Sequence, residues 1–107
     1  MNLIYEHINT IKNLCKKHFV NELFVFGSIL SDRFTEESDI DFLVKFSSIE
    51  PSEYFDNYIS FKQELETLLK RSIDLLEIQT IKNPILKRSV NRDKTLLYGR
   101  EDSKMAV

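Results

Sequence analysis

Apolar residues recur along the chain with two periods, and the alternation between them predicts its elements. Leu3, Ile4, Ile8, Ile11, Leu14, Cys15 and His18 fall three and four residues apart, with Glu6, Lys12, Lys16 and Lys17 outside that stripe. Residues 2–19 therefore read as one amphipathic helix with Asn2 as its N-cap. Leu23, Phe24, Val25 and Phe26 are β-formers that Gly27 cuts off, which predicts a buried strand at about 22–27. A short helix over 29–33, started by Ser28, and the turn Thr35-Glu36-Glu37-Ser38 lead to a second strand at 39–46. The second half of that strand (Phe42, Leu43, Val44, Phe46) is nearly continuous in apolar character, as in an interior strand. Pro51 opens a long helix to about Lys70, with Ser48 or Glu50 placed to serve its first N–H groups. Its broad stripe of Tyr54, Phe55, Tyr58, Ile59, Phe61, Leu65, Leu68 and Leu69 is expected to be core. Residues 72–78 make a third strand, Asn83-Pro84 starts a last helix over about 84–92, and the run Leu96-Leu97-Tyr98 stops at Gly99. From Arg100 onward the chain is polar, small or charged and is expected to fray.

Helices alternating with strands predict an α/β (α+β) fold, a small mixed sheet flanked by helices. At 107 residues the chain is expected to be one domain, 1–107, with a single modest core. A content of 42% hydrophobic and 30% charged residues excludes a disordered chain. No apolar run approaches the roughly 20 residues of a membrane span, no signal-peptide pattern opens the chain, and the lone Cys15 cannot form an internal disulfide. A cytoplasmic location follows, with Cys15 a small core residue rather than a nucleophile. His7 and His18 are too far apart for a helical metal pair and read as structural or surface residues.

The net charge of −2 is unevenly spread: residues 1–81 carry −6 and residues 82–107 carry +4, from Lys82, Lys87, Arg88, Arg92, Lys94, Arg100 and Lys104. A solvated helix face accounts for this basic segment more simply than a docking face. No aromatics are interleaved with it to stack on bases, so nucleic-acid binding is not supported.

Candidate chemistry concentrates in one stretch. Gly27 can adopt backbone angles closed to other residues and let the main chain approach a ligand, and the start of a short helix at Ser28 would attract phosphate. Ten residues later, Asp39 and Asp41 stand two apart, so on a strand both carboxylates face one way while Ile40 and Phe42 face the other. Carboxylates paired in this way, with substrate phosphates, are the usual holders of Mg²⁺. Asp74, an acid in an otherwise apolar strand, would complete a trio if its strand lies beside that of Asp39 and Asp41. Its rival Glu77 would face the opposite side. A phosphate-binding turn joined to a hard-cation site suggests chemistry on a nucleoside triphosphate.

Gly27-Ser28, a ten-residue spacer and Asp39-Ile40-Asp41-Phe42-Leu43-Val44 resemble the signature of the polymerase-β-like nucleotidyltransferases, and in length their minimal, single-domain (MNT) branch. The resemblance implies a third acid in a strand such as that of Asp74. It implies catalytic and metal-holding roles for Asp39, Asp41 and Asp74, with two Mg²⁺ ions in the reacting complex and ATP as substrate. It also implies that Gly27 and Ser28 hold the leaving phosphates. The family commonly carries arginine at the first and third spacer positions, which here are Ile29 and Ser31, so Arg33 is the nearest cation for a phosphate. That departure implies a weaker grip on triphosphate or a cation supplied by a partner. Larger relatives carry an added helical domain for the acceptor, and 107 residues leave no room for one. The resemblance therefore implies transfer of AMP to a tyrosine of a partner protein, with the chain as antitoxin beside a HEPN-type toxin. The chain is not itself the toxin half, since both its histidines precede every arginine and that family's Arg-x-His motif cannot form. Two other functions fit the same residues: a module that neutralises its partner by occlusion, and a small-molecule nucleotidyltransferase acting as a dimer.

Overall fold

The computed structural model describes residues 1–99; the fraying expected from Arg100 onward lies outside them. In chain order the elements are α1 (Asn2–Glu6), α2 (Ile8–Lys17), β1 (Val20–Phe26), a single 3₁₀ turn (Gly27–Leu30), β2 (Ile40–Phe46), α3 (Pro51–Leu69), β3 (Ile73–Glu77), a second 3₁₀ turn (Ile78–Thr80), α4 (Pro84–Asp93) and β4 (Thr95–Tyr98). The four strands form one mixed sheet in the order β3-β2-β1-β4. β1 runs antiparallel to both β2 and β4, while β2 and β3 are parallel and are joined through α3. The fold is thus the small mixed α+β sheet that the helix–strand alternation predicts, with β2 in its interior.

The first helix is two helices. At His7 the backbone leaves helical geometry (φ −115°, ψ 14°), and its N–H turns to the Ile4 carbonyl. The His7 ring takes over the vacated partner, Nδ1–H donating to the Leu3 carbonyl at 3.0 Å. A side chain able to replace a backbone donor four residues back thus lets the helix break without stranding a carbonyl. Met1 rather than Asn2 occupies the N-cap position, and no side chain caps there. α3 matches its expectation, with Pro51 in the first turn and Lys70 ending it in the left-handed region (φ 55°). Glu50 holds the cap position through its carbonyl, which accepts from the Glu53 N–H at 2.9 Å, and neither its side chain nor that of Ser48 is used.

The sheet has two unlike faces. Leu23, Val25, Ile40, Phe42, Val44, Ile73, Leu75 and Leu97 point to one side and bury against Ile4, Ile11 and Cys15 of the first two helices and Phe61, Leu65 and Leu69 of α3. Burial pushes the Cys15 thiol up to about 12, so it stays protonated and inert. His18 is buried too: its Nδ1–H donates to the Leu14 carbonyl at 2.9 Å, and its Nε2 lies 2.9 Å from Glu64 Oε2 of α3. It is a structural residue, as expected. Phe55 is not core: at 70% exposure it sits on the outer side of α3, because the apolar stripe is wider than the surface that the sheet offers. On the other face Phe24 and Leu43 pack with Val90 of α4, bordered by Phe26, Leu76 and Leu96. Only α4 covers this face among the described helices, and it covers only part of it.

Candidate active site

Strand pairing places the acids. Asp41 stands opposite Phe26 of β1 on one side and in register with Asp74 of β3 on the other. Residues in register on neighbouring parallel strands point to the same face, so both carboxylates emerge on the thinly covered side of the sheet. Asp39 precedes β2 instead of belonging to it; the strand begins at Ile40, whose N–H bonds to the Ser72 carbonyl at 3.0 Å. Asp39 and Asp74 are exposed and Asp41 is half-buried. Burial, then the charge of Asp74, then that of Asp39 push the Asp41 carboxyl above its ordinary value. Asp41 is therefore close enough to feel both of the other sequence-predicted acids and is the central one.

Glu77 belongs elsewhere. It lies on the far side of β3, accepting from the Tyr54 hydroxyl and, at 3.0 Å, from Gln79 Nε2. Burial and this bond to Glu77 push the Tyr54 hydroxyl up to about 12.

Gly27 ends β1 with φ +82°, in the left-handed region that glycine tolerates. Its bare Cα lies against the central acid: a Cβ built there would fall 2.3 Å from Asp41 Oδ2. The strand end thus leaves a cradle for the carboxylate. The short helix expected over 29–33 is instead the 3₁₀ turn Gly27–Leu30, starting two residues earlier, with Phe26 rather than Ser28 at its cap position. Ser31 closes it, its backbone N–H and its hydroxyl both donating to the Ser28 carbonyl at 2.9 Å. One polar side chain thus takes the carbonyl that a longer helix would have used.

The rest of the spacer is pinned. Thr35 N–H donates to Ser38 Oγ at 3.0 Å and Ser38 N–H to the Thr35 carbonyl at 3.1 Å. Arg71, just before β3, donates to the Thr35 and Ser38 carbonyls and stacks its guanidinium over Phe34, 4.5 Å from the ring centroid. Arg71 therefore fixes the loop that delivers Asp39. Nothing local in the sequence distinguishes it from any other surface arginine.

A groove of about 810 Å³, which meets the acids only where Gly27 lies against Asp41, is lined by Gly27, Ser28, Leu30, Ser31, Arg33, Arg92, Asp93 and Thr95. It brings together the predicted Gly27, Ser28 and Arg33. Arg92, Asp93 and Thr95 arrive from the far end of the chain, and only the excess of basic residues there hinted at them. A second groove, of about 650 Å³ between the end of α2 and the start of α3, contains none of these residues.

The donor set suits a hard divalent cation. It offers carboxylate oxygens only, and a cation would relieve the like-charge repulsion that disfavours ionised Asp41. Among the described residues no group of three His, Cys, Asp or Glu side chains is drawn in far enough to hold a metal by itself. Mg²⁺ does not require one: one or two carboxylates plus substrate phosphates and water are its usual shell.

Over residues 9–103 the sequence matches the family described as Polymerase beta, Nucleotidyltransferase. The chain belongs to the polymerase beta nucleotidyltransferase family. Among relatives of this nucleotidyltransferase, MJ1379 of Methanocaldococcus jannaschii, provisionally named a protein adenylyltransferase, is 38% identical over 88 residues, 81% of this chain and 84% of that one. Protein adenylyltransferase MntA of Thermococcus cleftensis is 37% identical over 76 residues, 71% of this chain and 74% of that one. Solved structures share the fold. A toxin–antitoxin complex with AMP-PNP aligns with a TM-score of 0.70 at 20% identity, over 92% of this chain and 78% of the other. The Shewanella oneidensis complex of a tri-AMPylated HEPN toxin with its MNT antitoxin aligns with a TM-score of 0.65 at 18% identity, over 95% and 77%.

Proposed function

We propose that this nucleotidyltransferase moves AMP from ATP to a hydroxyl, a tyrosine, of a partner protein, and that the partner is a HEPN-type toxin which it restrains as antitoxin. One observation carries the site assignment: Asp41 stands in register with Asp74 on one sheet face and lies against the cradle left by Gly27. The relatives named protein adenylyltransferase support the reaction, and the complex of a tri-AMPylated toxin with its MNT antitoxin supports the partner. A small chain with no membrane-spanning helix among its described residues and one inert, buried cysteine suits the cytoplasm.

Asp39, Asp41 and Asp74 would hold Mg²⁺. When bound, divalent ions supply charge neutralisation at the nucleophile and at the leaving oxygen of an in-line displacement. The chain's own share is positioning, which phosphoryl transfer needs more than covalent help. Gly27, with Ser28 and Arg33 beside it, holds the β- and γ-phosphates in the groove. Asp41 and Asp39 repel the α-phosphate unaided, so their share is to hold the cation that would neutralise it over the strand ends. Asp74, exposed at the side from which an acceptor arrives, takes or orients the proton of the attacking hydroxyl. The acceptor oxygen forms the new bond to the α-phosphorus, the bond to the bridging oxygen breaks, and pyrophosphate departs.

The test is incubation with α-labelled ATP, Mg²⁺ and the product of the neighbouring gene. Label should appear on that protein and vanish with Asp41→Ala. Full neutralisation of the partner by the Asp39→Ala, Asp41→Ala double variant would favour occlusion instead, and label on a soluble alcohol would point to a small-molecule acceptor.

A further inference from the structure

Val90 of α4 is 3% exposed, packed among Phe24 and Leu43, and Thr95 pairs with Val25 two residues before Gly27. Between these anchors the chain also ties Lys94 over the Phe24 ring, 4.2 Å from its centroid. The backbone that carries Arg92 is therefore fixed on both sides. Arg92 lines the same groove as Ser28 and Arg33, and α4 contacts the Gly27–Leu30 turn. The groove then presents two guanidiniums, the hydroxyls of Ser28, Ser31 and Thr95, and one carboxylate, that of Asp93. Planar guanidiniums grip phosphate with paired N–H donors, so such a lining suits a polyanion more than a sugar or a base. Arg92 is only lightly engaged, its Nε and Nη2 lying 3.3 and 3.5 Å from the oxygens of adjacent Asp93, with side-chain exposures of 71% and 53%. An exposed pair of this kind contributes little and yields to a multiply charged phosphate.

We propose that Arg92 is a triphosphate-binding residue in the groove it shares with Arg33, and that Asp93 competes with the nucleotide for it. This rests on the nucleotide reading above but not on the identity of the acceptor. It would place on α4 the positive charge that Ile29 and Ser31 do not supply in the spacer.

The experiment measures binding of Mg·AMP-PNP and of AMP to the purified full chain, with no partner present. Arg92→Ala should weaken AMP-PNP by about tenfold, the loss of one charge-assisted contact, and leave AMP nearly unchanged. Arg92→Lys should recover part of the loss, since the charge returns without the paired donors. Asp93→Asn should tighten AMP-PNP more in the wild type than in the Arg92→Ala background, since the bare loss of a groove carboxylate favours a polyanion even beside a merely structural Arg92. Arg88→Ala, also exposed on α4 but outside the groove, is the control. Wild-type AMP-PNP affinity in Arg92→Ala, or equal losses for AMP-PNP and AMP, would overturn the proposal. Labelling of the partner is read separately: if no protein is labelled while Arg92→Ala still loses AMP-PNP selectively, the acceptor assignment fails and the Arg92 assignment stands.

Discussion

Substituting Gly27 by alanine tests the geometry of the site with a single methyl group. Two costs combine. At φ +82° an alanine sits in the left-handed region, which costs about 1–2 kcal/mol. The added Cβ also falls 2.3 Å from Asp41 Oδ2 and 3.2 Å from its Cγ, where contacts under 3.0 Å essentially never occur. The side chain of Asp41, not a rigid backbone, meets the methyl, so the carboxylate should swing aside by close to 1 Å. A misplacement of about that size costs on the order of 100-fold in rate. The expected variant therefore melts about 5–15 °C lower and loses about 100-fold in AMP transfer per folded molecule. Gly99→Ala separates the two effects. It shares the left-handed backbone (φ +90°), and its Cβ would fall 2.1 Å from the Asn21 carbonyl, an obstacle that cannot swing aside. It should cost at least as much stability while transfer per folded molecule stays near wild type. Melting curves paired with labelled transfer below both midpoints make the comparison. Wild-type transfer by Gly27→Ala, or equal rate losses in the two variants, would refute the cradle.

Three further substitutions test the same contacts. Because Asp41 has a raised carboxyl, the folded chain keeps its proton to higher pH than the unfolded chain, with its ordinary 3.8. Its contribution to stability therefore falls as pH rises through the raised value, so Asp41→Asn should melt no lower than wild type at about pH 8, with the gap closing toward about pH 4. The same variant should lose the rise in melting temperature that Mg·ATP gives the wild type; a variant that melts lower at pH 8 would contradict this. Arg71→Ala removes the bonds to the Thr35 and Ser38 carbonyls and the stacking on Phe34. It should cost about 1 kcal/mol, open residues 31–38 to limited proteolysis and lower kcat more than it raises KM for ATP. Glu77→Gln keeps a hydrogen-bond acceptor for Tyr54 on the far side of β3, so transfer should be unchanged, and a large loss would return Glu77 to the candidate acids.

How much of this was legible in the sequence depended on the range of the forces involved. The strands around Gly27 and Asp41 and the start of α3 at Pro51 are local matters of period, β-propensity and a fixed proline φ, and all could be read directly. Pairing Asp74 with Asp41 needed only that the third strand lie beside the second, so that a parity argument could choose it over Glu77. The break at His7 was hidden because the periodicity continues across it; the deciding event is one ring N–H displacing one backbone N–H. The turn after Gly27 was expected too late and too long because the Ser31 hydroxyl competes for the Ser28 carbonyl. Phe55 was misplaced because periodicity reports which side of a helix is apolar, not how wide a surface waits to cover it. Arg71 and Arg92 were beyond reach for a different reason: Arg71 bonds to Thr35 and Ser38, more than thirty residues away, and Arg92 shares a groove with Ser28 and Arg33, which are as remote in sequence.

The parallel pairing of β2 and β3 has one last consequence. A chain leaving one strand and returning parallel beside it crosses with a right hand in nearly all proteins, a preference that descends from the chirality of the amino acids themselves. Here the crossing element is α3, and it lies on the Phe42 side. The sheet's back is thereby filled, and among the described residues α4 is the one helix on its front. Handedness, settled at the α-carbon, thus decides which face of the sheet the α3 crossing fills, and with it that Asp41 and Asp74 emerge on the other.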